Sequence, residues 1–287
     1  MVENGRPDLV HVQVPMKAGI IALWLKKKYQ LPYVITEHWG IYNDVEVENY
    51  SRKSRIFKFF TKKIISGTSG LISPSQYLVN DMKRYFKIKN DVVIPNTVDT
   101  SLFFYRQNKN QIFRFIHVSN MVPLKNITGI IASFKAFLEE GGEAELILVG
   151  DTEPSTRKIA EDLHIPGNRI FFKGEVSYQQ VAKEMQSSDC FILFSNIENS
   201  PCVIGEALCC GIPVIASDVG GVAELVDITN SILTGAQQTS ALLKAMHSMV
   251  RDAVKYDKKK IAESATAKFS YPVIGKSFDE LYSSLTG

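Results

Sequence analysis

Two glutamates eight residues apart, Glu198 and Glu206, interrupt SNIENSPCVIGEALCCGIPVIASDVGG (195–221), a stretch that otherwise looks like packed core. Carboxylates are rarely buried without partners, so a pair of them here points to ligand chemistry. The run CFILFS (190–195) reads as a strand, and PCVIGEALCCG reads as a helix with Pro201 in its first turn. Glu198 then stands in the loop at the helix mouth, and Glu206 lies one to two turns in. They are not a close acid pair on one helix face. Each can instead accept hydrogen bonds from the hydroxyls of a polyol. Gly220 and Gly221 follow the next short strand and open a further short helix, VAELV, whose first N–H groups suit a phosphate. The glutamate spacing alone is a weak signal. The strand end before it and the Gly-Gly pair after it make it specific.

A second loop, SNMVPLKN (119–126), carries Lys125 beside Asn126. Asn126 can cap the helix that follows, aiming N–H groups and the positive dipole end at an anion, with the lysine adding a full charge. An ordinary capped turn with an exposed lysine is the alternative on spacing alone. In GDTEP (150–154), Gly150 permits close backbone approach. No G-x-G-x-x-G is present, so a dinucleotide dehydrogenase has no support. The five histidines are scattered without H-E-x-x-H, and Cys190, Cys202, Cys209 and Cys210 form no C-x-x-C pair. A metal site is not expected, and the cysteines read as reduced, small, buried residues.

These loops need a scaffold, and the hydrophobic pattern supplies one. Short β-type runs cover 9–14, 33–38, 70–75, 91–96, 113–119, 144–150, 169–174, 190–195, 213–217 and 231–234, alternating with helical periodicity such as 126–140 and 178–189. Runs apolar on both faces, alternating with helices, predict an α/β fold of parallel sheets covered on both sides. The strands are too many for one small sheet. A polar stretch, NTVDTSLFFYRQNKNQ, separates two series and puts a boundary near residue 103. The expected domains are 1–103, 104–268, and a closing helix within 269–287 after a break at Pro272. Loops at the carboxyl ends of the strands are where such sheets bind ligands.

Composition fits a soluble core: 45% hydrophobic and 22% charged residues, with a net charge of +3. No apolar run approaches the ~18 residues of a membrane span, and MVENGRPDLV lacks a secretory apolar region. A cytoplasmic protein is expected. Charge is uneven: residues 1–103 hold 15 Lys and Arg against 9 Asp and Glu. The excess lies in LKKKY, SRKSRIFKFFTKK and DMKRYFKIK. These are either solvated helix faces or a surface that rests on anionic lipid. No nucleic-acid recognition motif is present.

Together these residues resemble retaining glycosyltransferases of GT-B architecture, glycosyltransferase family 4 (glycosyl transferases group 1). PDLVHVQVPMKAGIIALWL, LPYVITEHW, GLISPSQYLVNDM and VVIPNTVDTSLF are similar to the later part of that family's N-terminal domain. HVSNMVPLKNITGII, LILVGD, RIFFKGEV, the Glu198–Glu206 stretch and FSYPVIGKSFDELY resemble its donor-binding domain and closing helix. The resemblance implies two Rossmann-like domains facing across a cleft, the N-terminal one incomplete. It implies catalytic roles for Glu198 near the anomeric centre, Lys125 on the donor diphosphate, and His38 facing the donor sugar. It places Ser119, Asn120, Gly150, Lys173, Gly174, Asn199, Ser200, Pro201, Glu206, Gly220 and Gly221 around the donor, with Glu206 on the ribose. The implied donor is a UDP- or GDP-sugar, with no metal or other cofactor. The implied acceptor is lipid-linked or an oligosaccharide, in surface polysaccharide or lipopolysaccharide biosynthesis at the inner face of the plasma membrane.

Two departures from the family pattern stand out. The family's G-R-L arginine is replaced by Asn120, which has neither charge nor guanidinium fork. The strand and Gly-rich loop that open the family's N-terminal domain have no counterpart before PDLVHVQ. The first half of that domain is therefore expected to be missing, leaving exposed strand edges and room for a partner chain that completes it. The alternative functions are a donor-binding remnant without catalysis, one half of a split transferase, or a GT-B-fold sugar-nucleotide epimerase.

Overall fold

The computed structural model describes residues 5–45, 48–150 and 154–286. Chain contacts divide it into two units, Met1–Asn96 with Pro272–Gly287, and Thr97–Tyr271.

The first unit alternates β1 (Val10–Gln13), α1 (Ala18–Tyr29), β2 (Tyr33–Thr36), α2 (Arg55–Gly67), β3 (Gly70–Ser73), α3 (Gln76–Lys83) and β4 (Asp91–Val93). The strands pair in parallel in the order β1-β2-β3-β4. Every residue of β2 and β3 is buried, as expected where helices cover both sheet faces. Strand alternation sorts the side chains. Tyr33 and Ile35 pack with Ala22, Ile64, Leu78 and Met82 of α1, α2 and α3. Val34 and Ile72 pack on the other face, against Ile274, Phe278 and Leu281 of the C-terminal helix (Tyr271–Thr286). Ser54 and Ser75 cap α2 and α3 by accepting the N–H groups of Phe57 and Leu78, both at 3.2 Å.

The second unit continues with β5 (Phe113–Val118), α4 (Ile127–Glu139), β6 (Ala144–Val149), α5 (Pro154–Asp162), β7 (Ile170–Gly174), α6 (Tyr178–Gln186), β8 (Cys190–Leu193), α7 (Cys202–Cys209), β9 (Val214–Ser217), β10 (Ser231–Thr234), α8 (Thr239–Arg251) and α9 (Lys258–Phe269). Its six strands are all parallel, in the order β10-β9-β8-β5-β6-β7. Each β-type run of the sequence contains a strand, and most of the strands are shorter than the runs. β8 shows why. Its last ladder partner is Ala216, opposite Leu193, so Phe194 and Ser195 leave the sheet although the apolar pattern continues.

The order reverses between β5 and β8, and this places the site. From β5 the chain moves outward through β6, and from β8 it moves the opposite way through β9. The helix after β5, α4, packs Ile130, Ile131 and Phe134 on one sheet face. The helix after β8, α7, packs Ile204, Ala207 and Leu208 on the other. The β5 and β8 loops must part at their carboxyl ends, and such a switch point is the standard ligand crevice of an open α/β sheet. Among the described residues, no helix is long and apolar enough to cross a membrane.

Candidate active site

The two parting loops hold Lys125 and Glu198. Lys125 ends a short 3-10 turn, Pro123–Lys125. Its Nζ donates to Glu198 Oε1 at 2.5 Å, and Ser195 Oγ donates to the same oxygen at 2.7 Å. The Asn196 N–H donates to the Leu124 carbonyl at 2.8 Å, tying the loops together by backbone as well. Both charged side chains are largely buried.

Glu198 is also fixed from behind. The Gly221 N–H donates to its carbonyl at 3.1 Å. At Gly220, φ is +57°, and a Cβ there would stand 1.7 Å from the same oxygen. Only glycine fits both constraints. The Gly-Gly pair thus positions Glu198 through its backbone. The segment after it is a single 3-10 turn, Val222–Glu224, where the sequence suggested a short helix, and the Gly221 N–H is already engaged.

The β5 loop is held by a relay. His117, fully buried near the end of β5, meets the Ile192 carbonyl of β8 through Nδ1 at 2.8 Å and Ser119 Oγ through Nε2 at 2.7 Å. A carbonyl can only accept, so Nδ1 carries the proton. Burial lowers the His117 pKa to about 4, the Ile192 bond opposes the shift, and the nearby Lys125 charge adds to it. The ring is therefore neutral, and Nε2 accepts from Ser119. The Ser119 oxygen in turn accepts the Met121 N–H at 2.9 Å, which holds Met121 at a positive φ of 53°. Asn126 caps α4 as expected, its side chain accepting the Gly129 N–H at 3.2 Å.

Gly150 follows β6 at φ +126°, where a Cβ would meet the Ser119 carbonyl at 1.7 Å, and its N–H donates to the Gly174 carbonyl at 2.9 Å. Ser119, Gly150 and Gly174 thus form one backbone-packed floor. Residues 151–153 of the GDTEP loop lie outside the described residues. Lys173 turns to Glu184 of α6 at 3.4 Å. Asn120 borders a separate cavity of about 450 Å³ with Pro123, Asn126 and Thr156, which neither Lys125 nor the two glutamates line.

Glu206 is buried on α7, and Tyr178, the first residue of α6, donates its OH to Glu206 Oε1 at 2.6 Å. The Tyr178 ring packs edge-on to the buried Phe103 at 4.9 Å. Burial raises the Glu206 pKa, and the Tyr178 bond pulls it back down. Cys202 opens α7 and is exposed, which corrects the expectation of a buried thiol. Although the residue is exposed, neighbouring atoms partly desolvate its sulfur and raise the thiol pKa, and the charges of Glu206 and Glu198 both add to the shift, so Cys202 lies within electrostatic reach of both glutamates. The other three cysteines are buried and free. Asn199, buried Ser200 and Pro201 form the link from Glu198 to α7.

His38 belongs to the first unit. Its N–H donates to Glu37 Oε1 at 2.9 Å, its Nε2 lies 3.3 Å from Gln13 Oε1, and burial lowers its pKa. Glu37 is fully buried and also accepts the Trp39 N–H and the Tyr42 OH, both at 2.8 Å. Among the described residues, no group of three His, Cys, Asp or Glu side chains is placed to share a metal ion.

The second unit thus brings together Lys125, Glu198, Gly220 and Gly221, with Ser119, Gly150 and Gly174 beside them. Sequence reading passed over Ser195, His117 and Tyr178. Ser195 stood in the quoted motif, three residues before Glu198. The other two act across long chain separations and leave no local signature. A fixed ammonium beside a fixed carboxylate, at the crevice where the β5 and β8 loops part, suits a ligand with both anionic and hydroxyl groups.

Residues 101–267 match the family model described as Glycosyl transferases group 1. The chain belongs to that family. Residues 1–102 match the model Glycosyltransferase Family 4. Among relatives, this glycosyltransferase is 26% identical over 284 residues to the Bacillus subtilis glycosyltransferase TuaC, whose name assigns it to teichuronic acid biosynthesis. That match covers 95% of this chain and 67% of TuaC. It is 22% identical over 228 residues to the alpha-monoglucosyldiacylglycerol synthase of Streptococcus pneumoniae, covering 73% of this chain and only 51% of that one. The solved sucrose-phosphate synthase of Thermosynechococcus elongatus superposes with a TM-score of 0.82 at 21% identity, covering 97% of this chain and 73% of that one. Anabaena Alr3699/HepE, solved in complex with UDP, gives 0.79 at 21% identity, covering 96% and 79%. The fold is the two-domain, parallel-sheet α/β architecture of GT-B glycosyltransferases.

Proposed function

We propose that this glycosyltransferase moves a hexosyl group from a nucleotide-diphosphate sugar to an acceptor hydroxyl with retention of configuration, the donor binding in the second unit. The observation that carries the reading is the Lys125–Glu198 pair held at the β5/β8 switch point. The ammonium is placed to neutralise charge that develops on a departing diphosphate, and a fixed cation does this without reorganising during the reaction. Glu198 has Oε1 engaged by Lys125 and Ser195, so Oε2 is the oxygen offered to donor-sugar hydroxyls. Glu206 likewise has Oε1 engaged by Tyr178 and offers Oε2 to the ribose. With Asn120 in place of an arginine, diphosphate charge rests on Lys125. The acceptor hydroxyl then attacks on the face the nucleotide leaves, and the departing phosphate takes its proton. HepE, of the same fold, is described with UDP, which supports a nucleotide-sugar donor. The names of TuaC and the pneumococcal synthase support a polysaccharide or glycolipid acceptor.

Titration calorimetry with UDP-glucose and GDP-mannose on wild type and Glu206→Ala tests the donor half. One nucleotide sugar should bind wild type and lose at least tenfold in affinity to the variant. Equal binding by both proteins, or binding by neither, overturns the assignment. The anomeric configuration of the product, read by NMR, tests retention. His38 is assigned a catalytic role in this reading, so His38→Ala should lower turnover while leaving UDP affinity unchanged.

A further inference from the structure

The first unit carries a surface that donor chemistry does not use. Helices α1 and α2 together contain seven cations, Lys26, Lys27, Lys28, Arg55, Lys58, Lys62 and Lys63, and no acidic residue. Lys26 and Lys58 are turned onto backbone carbonyls, of Gly67 and Ser51. Among the described residues, no carboxylate lies within ion-pair distance of Lys27, Lys62 or Lys63. An ordinary solvated helix face mixes both signs and carries i,i+4 pairs. This one does neither.

Large apolar side chains share the same faces. On α1, Ile20, Ile21, Trp24, Lys27 and Lys28 lie on one side of the helix, with Ile21 62% and Trp24 51% exposed. On α2, Ile56 is 72% and Phe59 54% exposed, on the side that carries Arg55, Lys62 and Lys63. The helices pack together, Gly19 of α1 lying against Ile64 of α2. Where their faces meet is an open cavity of about 550 Å³, lined by Leu23 and Lys27 of α1 and by Phe59, Lys62, Lys63, Ser66 and Gly67 of α2. Lys63 Nζ stands 4.6 Å from the Phe59 ring centre, and Lys28 Nζ 4.9 Å from that of Trp24. Each cation therefore sits over the face of an aromatic ring.

We propose that the α1–α2 face docks on an anionic lipid bilayer, with Trp24, Ile21, Ile56 and Phe59 entering the interface and lipid phosphates seated among Lys27, Lys62 and Lys63. A bilayer answers all three features. Its apolar interior takes the exposed rings and aliphatic chains, its headgroups take the unpaired ammonium groups, and aromatic residues favour the boundary between the two. A nucleic acid would answer the charge and leave Ile21 and Ile56 in water. A second copy would set like charges against each other. This inference is independent of the donor-site reading, since every residue in it belongs to the first unit.

The test is co-sedimentation of the intact chain with phosphatidylcholine vesicles, alone or with about one third phosphatidylglycerol. Binding should require the anionic lipid and weaken with salt. Each lysine near such a surface contributes ~1 kcal/mol, a factor of about five, so Lys62→Gln with Lys63→Gln should weaken partitioning about thirtyfold. Phe59→Ser should weaken it without changing charge. In a Trp39→Phe background, Trp24 emission should shift to the blue on anionic vesicles only. Far-UV circular dichroism and the urea unfolding midpoint, measured on the same variants, should be unchanged and show that the first unit is folded. The proposal fails if neutral vesicles bind equally, or if the glutamine variant partitions like wild type. It also fails if a DNA duplex binds as tightly and Phe59→Ser leaves that unaltered. Concentration-dependent dimerisation that Phe59→Ser abolishes, without vesicle binding, would assign the face to a second copy instead.

Discussion

Replacing Gly220 by alanine should both destabilise the second unit and displace Glu198. Two costs combine. The residue sits at φ +57°, where an L side chain pays roughly 1–2 kcal/mol. The added Cβ would also lie 1.7 Å from the Glu198 carbonyl oxygen, about half an ordinary contact distance. The loop carrying Glu198 must then withdraw, breaking the Gly221 N–H bond to that carbonyl, and overpacking of this kind costs about 1–3 kcal/mol. A total loss of about 2–5 kcal/mol is expected in urea unfolding. Two further alanine variants separate the causes. Gly141 has φ +84° with no neighbour near its Cβ position, so it reports conformational strain alone. Gly167 has neither a positive φ nor a close neighbour, and alanine there should be neutral or slightly stabilising. Calorimetry on Gly220→Ala should also show donor affinity reduced at least tenfold, because Glu198 moves by an ångström or more. If Gly220→Ala unfolds no more easily than Gly141→Ala and binds donor like wild type, the glycine lock on Glu198 is refuted.

Three other outcomes follow from the same geometry. Tyr178→Phe removes the bond that holds the Glu206 pKa down against burial. Donor affinity should then fall a further few-fold as the pH is lowered toward ~5, where more of the carboxyl becomes protonated; a wild-type pH profile would count against Tyr178. Glu37 has its pKa raised by burial from 4.5 to about 7, against three opposing hydrogen bonds. A raised folded-state value means the folded chain holds this proton more tightly than the unfolded one. Its contribution is full at low pH and is lost as pH rises through about 7, a change of up to ~3 kcal/mol. Glu37→Gln should flatten stability between pH 5 and 8, as read by denaturant midpoints. Finally, a disulfide reagent should label one thiol in the native protein, Cys202, and four after denaturation. Labelling should slow when donor is bound; rapid reaction of a second native thiol would contradict the burial of Cys190, Cys209 and Cys210.

Local pattern was enough to locate every strand and to put Glu198 in a loop and Glu206 on a helix, because alternation and helical period reflect burial over a few residues. The loop that carries Lys125, its capping asparagine and the glycines beside the site were legible for the same reason: each meets a conformational need of its own short segment. Strand ends were not legible, since a strand stops where its neighbours stop, and Phe194 stays apolar because it is buried outside the sheet. Nor was the strand order, which the pattern of alternating elements leaves open. The reversal between β5 and β8 brings Lys125 to Glu198 across 73 residues, His117 to Ile192 across 75, and Tyr178 to Glu206 across 28. Those pairings, the glycine lock on Glu198 and the joining of two basic helix faces into one surface are properties of the packed chain. Sequence determined which groups were present and on what kind of element; tertiary structure alone decided their partners, because contact at such separations depends on how the sheet is ordered.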